Sequence, residues 1–162
     1  MNQGKKNIPS FQIDHTRLDR GVYVSRVDHI GDHSVTTYDI RIIRPSWATA
    51  MDGAAAHTIE HLGATILRNG PWADRVIYFG PMGCLTGFYL ILAGEPDVEK
   101  VADLVRDMFF QIRDWPNENG IPGAAFGECG NPPFHDLGRA KLIALGFAIA
   151  KWKTTYPGEK ED

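Results

Sequence analysis

The chain has 162 residues, 43% hydrophobic and 23% charged, enough for one domain with a real core. Its formal net charge of -3, with no clustered basic stretch, argues against a nucleic-acid or membrane partner. No apolar run approaches the ~20 residues of a membrane helix, and the lysines of Met1–Lys6 have no apolar stretch behind them, so a cytoplasmic location is expected.

A single domain over 1–162 is expected, with residues 1–9 and 154–162 flexible. Residues 22–30 and 34–44 alternate apolar and polar around the Gly31-Asp32-His33 turn signal and read as an antiparallel hairpin. In the second strand Tyr38, Ile40 and Ile42 share one face, Asp39 and Arg41 the other. Gly53 to Asn69 reads as a helix closed by Gly70-Pro71. Residues 75–79 and 85–92 are short apolar runs suited to strands, joined through Gly80-Pro81-Met82-Gly83. Glu95-Pro96-Asp97 opens a second helix, Pro96 at a first-turn position. Its apolar face is Val98, Val101, Leu104, Val105, Met108, Phe109 and Ile112. Residues 115–133, rich in Pro, Gly and Asn, read as a long ordered loop of the kind that is usually functional. Asp136 to Trp152 reads as a third helix. Paired strands interleaved with three helices give an α+β class: a mainly antiparallel sheet with helices packed on one face.

The strongest local chemistry is His57-Thr58-Ile59-Glu60-His61. Residues four apart on a helix share a face, so both imidazoles can reach one ion. Glu60 sits on roughly the same side, free to move protons near that ion without binding it. This is the H-x-x-E-H order of the inverzincins. Two histidines leave a catalytic metal site one protein ligand short. Cys129 is the favoured third, because Gly127 and Gly130 flank its segment and let backbone come close; Cys84, His135 and His15 are the alternatives. A His2Cys set suits Fe(II), Zn(II) or Co(II). Cys84 follows a glycine-rich turn into a strand, and a nearby cation would make its thiolate available as a base.

Five segments carry a resemblance: Phe11–Thr16, Tyr38–Arg41, His57–Leu62, Pro81-Met82-Gly83-Cys84-Leu85-Thr86-Gly87-Phe88-Tyr89, and Cys129-Gly130 with His135-Asp136-Leu137. In this order, over about residues 10 to 150, the chain resembles the S-ribosylhomocysteine lyases, the LuxS family of autoinducer-2 synthases. The resemblance implies a metal-dependent carbon-sulfur lyase that cleaves S-ribosylhomocysteine to homocysteine and the autoinducer-2 precursor 4,5-dihydroxy-2,3-pentanedione. It implies one Fe(II) per subunit, replaceable by Zn or Co, held by His57, His61 and Cys129. Glu60 and Cys84 match the acid/base pair. Ser10, His15, Arg41 and Arg68 match substrate contacts, and a homodimer with its sites at the subunit interface is implied. The chain departs from the family pattern at Tyr78 and Gly80, where an acidic residue and a serine are usual, and in its proline-rich 115–135 segment. An inverzincin-type peptidase and a family member that binds without turnover are the competing readings.

Overall fold

The computed structural model describes residues 13–45 and 49–157. Strand β1 (Gly21–Ile30) pairs antiparallel with β2 (His33–Arg41). The loop between them is Gly31-Asp32, with Gly31 at φ 60, a conformation that a Cβ disfavours. Helix α1 (Gly53–Arg68) follows, then β3 (Val76–Pro81), β4 (Gly87–Ala93), helix α2 (Val98–Arg113) and helix α3 (Leu137–Ala148). The sheet is antiparallel in the order β1-β2-β4-β3. Among the described residues no helix is long and apolar enough to cross a membrane.

Each helix opens on an aspartate whose carboxylate accepts first-turn amide hydrogens: Asp52, Asp97 and Asp136. Asp97 rather than Pro96 is the cap of α2, so the proline lies outside the helix; its carbonyl accepts the Tyr38 hydroxyl. The α2 stripe is placed as the spacing predicts, with Val101, Val105, Met108, Phe109 and Ile112 buried. Helix α3 ends at Ala148, four residues short of the expected Trp152. That indole instead folds back, stacking on Phe147 and donating to its carbonyl at 2.8 Å.

The helices cover one face of the sheet, where Val22, Tyr38, Ile40, Phe88, Leu90 and Leu92 form the main core. Gly63 sets how closely α1 approaches: a Cβ there would lie 2.4 Å from Phe79 Cε1. The other face carries a smaller cluster of Leu18, Tyr23 and Tyr156. Residues 154–157, expected to be loose, are therefore part of the fold. Tyr156 stacks on Tyr23 with centroids 4.6 Å apart, and Lys153 bridges to Gly21. With both faces covered at its C-terminal end, β2 buries Asp39 and Arg41 as fully as Tyr38 and Ile40.

Candidate metal centre and active site

Helix α1 presents His57 and His61 on one face, as four-residue spacing requires, with their Nε2 atoms 3.1 Å apart. The loop before α3 closes over them. The Cys129 sulfur lies 3.5 Å from His57 Nε2. His57 donates its Nδ1 hydrogen to the Phe134 carbonyl at 2.7 Å and His61 to the Pro122 carbonyl at 2.8 Å. Such outer partners fix the tautomer, leaving each Nε2 lone pair free for an ion. Two aimed imidazoles and a soft thiol are a donor set that fits a divalent transition metal.

Sequence reasoning held His135 only as an alternative to Cys129, yet both lie within the same group: one ligand atom from each of His57, His61, Cys129 and His135 falls within 4.8 Å of the others. Its ring stacks on that of His57 with centroids 4.0 Å apart. Burial, then the charges of His57 and His61, push its pKa down to about 4, so it is neutral at neutral pH. The signal was present in the sequence as a third histidine near Cys129. The glycines expected to let Cys129 approach are not the tight ones. A Cβ at Gly127 or Gly130 would meet nothing within 4 Å, whereas Gly123 has φ +68 and a Cβ there would lie 3.4 Å from His61 Nδ1. Glu60 lines the same cleft with Phe79, Pro122 and Glu128, and its carboxylate is absent from the ligand group.

A second group forms on the far face of the sheet. Arg41 Nη2 donates to Asp39 Oδ2 at 2.6 Å and Nη1 to Thr86 Oγ1 at 2.6 Å, while Nη1 lies 4.0 Å from Cys84 Sγ. Thr86 accepts from Arg41, so its own hydroxyl hydrogen is free for the sulfur 3.0 Å away. Burial raises the Cys84 pKa, but the Thr86 hydrogen bonds and the Arg41 charge outweigh it and hold the thiol below its ordinary value. Cys84 itself is exposed. Burial lifts the Asp39 carboxyl above the usual carboxylate range, against the pull of Arg41. Burial also works against the Arg41 charge, but the field and hydrogen bond of Asp39, with the fields of Cys84 and Tyr156, together outweigh it. Asp39 Oδ1 and Arg41 Nε are buried with no hydrogen-bond partner among the described residues. His15 donates its Nδ1–H to the Ile13 carbonyl at 2.8 Å, and its field is a minor influence lowering the Asp39 pKa.

The turn that carries Cys84 runs from Met82 to Gly87, whose N–H and carbonyl partners close it: Met82 N–H donates to the Gly87 carbonyl and Leu85 N–H to the Met82 carbonyl, both at 2.9 Å. Leu85 has φ 54, the one non-glycine residue with positive φ among those described. This is why β4 starts at Gly87 rather than at the expected residue 85. Arg68, exposed at the end of α1, donates to the Val76 and Ile77 carbonyls at 3.3 and 2.8 Å. Ser10 lies outside the described residues. The two departures at Tyr78 and Gly80 are spatially one: a Cβ at residue 80 would lie 2.0 Å from the Tyr78 hydroxyl, so the phenol occupies the space a serine would need.

An α+β domain gathering two helix-borne histidines, a loop thiol and an adjacent glutamate at one cleft defines a small protein with a candidate site for one metal ion. The model of the S-ribosylhomocysteinase (LuxS) family matches residues 8–155. The chain is 53% identical over 159 residues to the S-ribosylhomocysteine lyase of Desulfotalea psychrophila, covering 94% of this chain and 99% of that one. It is 50% identical over 158 residues to that of Clostridium acetobutylicum, with the same coverage. The Phocaeicola vulgatus enzyme is 51% identical over 137 residues, 84% of each chain. The chain belongs to the S-ribosylhomocysteinase family.

Proposed function

We propose that this protein is an S-ribosylhomocysteine lyase, releasing homocysteine and 4,5-dihydroxy-2,3-pentanedione. The observation that carries the reading is the convergence of His57, His61 and Cys129 beside Glu60, in a chain of this family. The substrate's atoms are all accounted for in the two products, so no co-reactant is needed. The ion, Fe(II) in the cell and one per subunit, supplies Lewis acidity that favours negative charge on oxygens next to the carbon being deprotonated.

Cys84, as thiolate, takes a proton from a hydroxyl-bearing carbon beside the carbonyl and returns it to the neighbouring carbon. Repeated once, this moves the carbonyl from C1 to C3. Removal of the C4 proton then expels the C5 sulfur as homocysteine thiolate, leaving an enol that becomes the diketone. Glu60 carries protons between oxygens and takes part in the elimination. Positioned acid/base groups of this kind contribute ~10²–10⁴ in rate. His15 and Arg41 orient hydroxyls and favour anionic oxygen. Ser10 is assigned to the same substrate-binding set. Arg68, already holding two β3 carbonyls, contributes through its free edge.

Cys84 stands with Arg41 on one face of the sheet, and the histidines lie on the helix side. Their collaboration is met by a homodimer in which the Arg41–Cys84 group of one subunit faces the metal cleft of the other. A cytoplasmic location suits two free thiols, one of them a ligand. A peptidase of the H-x-x-E-H type would want a carboxylate ligand, and the group holds none. The test is thiol release from S-ribosylhomocysteine by anaerobically Fe(II)-loaded protein. Wild type releases homocysteine, and Cys84→Ala and Glu60→Gln keep the ion and lose turnover. Folded, metal-replete wild type that releases no thiol would refute the reading.

A further inference from the structure

Away from the two groups described above, two adjoining clefts lie between the end of β2 and α3. The first, of about 300 Å³, is walled by Ile42, Ile43, Leu142, Ile143 and Phe147. The second, of about 660 Å³, is rimmed by Arg20, Arg44, Lys151 and Lys153 around Asp19, with Trp152 beside them. Three observations make them one feature. Arg20 lines both. Ile43 of the apolar cleft and Arg44 of the basic one are consecutive in the chain. Phe147 and Trp152, one from each, are stacked with centroids 4.2 Å apart. Backbone hydrogen bonds fix the walls: Ile42 and Ile43 donate to the Thr86 carbonyl, Lys153 N–H to the Arg20 carbonyl and Val22 N–H to the Lys153 carbonyl.

The rim carries four cations and one carboxylate, in a chain whose net charge is -3. Asp19 accepts from Lys153 Nζ at 2.7 Å and from Arg44 Nε at 3.3 Å. Arg20 and Lys151 form no ion pair among the described residues. In the apolar cleft Leu142 is 70% exposed, and Gly146 leaves a gap in the wall, since a Cβ there would meet nothing within 4 Å. An apolar slot that opens on surplus positive charge is complementary to a ligand with an apolar body and an anionic head. We propose that this double cleft binds a straight-chain carboxylate, its alkyl chain against Leu142 and Gly146 and its head at Arg20 and Lys151. Concave walls suit a single chain and not a flat membrane surface. The inference is independent of the lyase reading, which uses none of these residues.

The experiment titrates hexanoate, octanoate and 1-octanol into the full chain, Zn(II)-loaded and ¹⁵N-labelled, and follows the amides of Gly146 and Lys151. Saturable shifts at both are expected. Each methylene taken out of water tightens binding roughly fourfold, so octanoate binds about fifteen-fold more tightly than hexanoate. Octanol, of equal length and uncharged, binds roughly tenfold more weakly than octanoate. Arg20→Gln narrows that preference. Gly146→Leu fills the slot and abolishes binding of both acids; with open space around the position the variant folds, which its melting curve verifies. Equal affinity for the two acids would overturn the apolar slot, and equal affinity for octanol and octanoate would overturn the cationic head site. Octanoate binding that survives Gly146→Leu, or shifts confined to the metal cleft, would overturn the proposal by placing the ligand elsewhere. Wild type with no saturable shifts at Gly146 and Lys151 would overturn it whether or not the variants fold.

Discussion

Replacing Arg41 by methionine removes a buried charge and leaves its partner behind. The side chains of Arg41 and Asp39 are each 3% exposed and paired at 2.6 Å. Once the guanidinium is gone, Asp39 keeps the Tyr156 hydroxyl at 3.2 Å as a single donor among the described residues. Breaking a buried pair from one side costs ~3–5 kcal/mol. At roughly 2–4 °C per kcal/mol for a domain of this size, Tm falls by roughly 6–20 °C at neutral pH. The penalty depends on pH with a definite sign. Burial already raises the Asp39 pKa, and Arg41 is the largest influence lowering it, so Arg41→Met raises it further. A group with a raised folded pKa contributes stability below its unfolded pKa and loses it as pH rises through the folded one. The deficit of Arg41→Met is therefore greatest at neutral pH and shrinks on acidification toward the ordinary aspartate range of ~3.9. Thermal denaturation of wild type, Arg41→Met and Asp39→Asn/Arg41→Met at one protein concentration, at neutral and mildly acidic pH, checks this. The double variant recovers most of the loss. A neutral-pH Tm for Arg41→Met within about 2 °C of wild type would refute the reasoning, by showing that water reaches the carboxylate.

Two further outcomes follow from the separation of the site into two groups. Mixing Cys84→Ala with Glu60→Gln subunits, each inactive alone, restores about a quarter of wild-type turnover, since random pairing makes about half of the dimers mixed and each carries one intact site; no recovery after verified subunit exchange would place the whole site within one chain. The rate of Cys84 alkylation against pH rises with a midpoint below the ordinary thiol pKa of ~8.5, because Thr86 and Arg41 outweigh burial, and Thr86→Val moves that midpoint upward. An unchanged midpoint in Thr86→Val would show that the hydroxyl does not stabilise the thiolate.

The helix part of the candidate site was legible in the sequence because four-residue spacing fixes a face regardless of what packs around it. The placing of His57 and His61 together, with Glu60 beside them, needed nothing more. Cys129 was identified by neighbouring glycines that turn out to face open space, while the close approach is made by Gly123, whose partner His61 is 62 positions earlier in the chain. His135 was legible as an alternative to Cys129 and not as its neighbour in one group, since its direction depends on Thr58, a buried hydroxyl across 77 positions. Alternation placed Asp39 and Arg41 on the face away from Tyr38 and Ile40, as the sheet register bears out. It said nothing of the cover, which comes from Leu18, Tyr23 and Tyr156 at distant points of the chain. The separation of Cys84, on the turn before β4, from the histidines of α1 is likewise a property of how the helix packs on the sheet, and no local pattern encodes it.

The turn bearing Cys84 closes on Leu85 in the left-handed region, where a non-glycine residue costs of order 1–3 kcal/mol. That conformation is held from outside: the Leu85 carbonyl accepts Met51 N–H at 2.8 Å, and the Thr86 carbonyl accepts the Ile42 and Ile43 amides at 3.1 and 2.9 Å. A glycine there would relax the backbone but would widen the range of positions open to the sulfur. The leucine, packed against the main core, narrows that range during folding, so the sulfur is already placed before any ligand arrives.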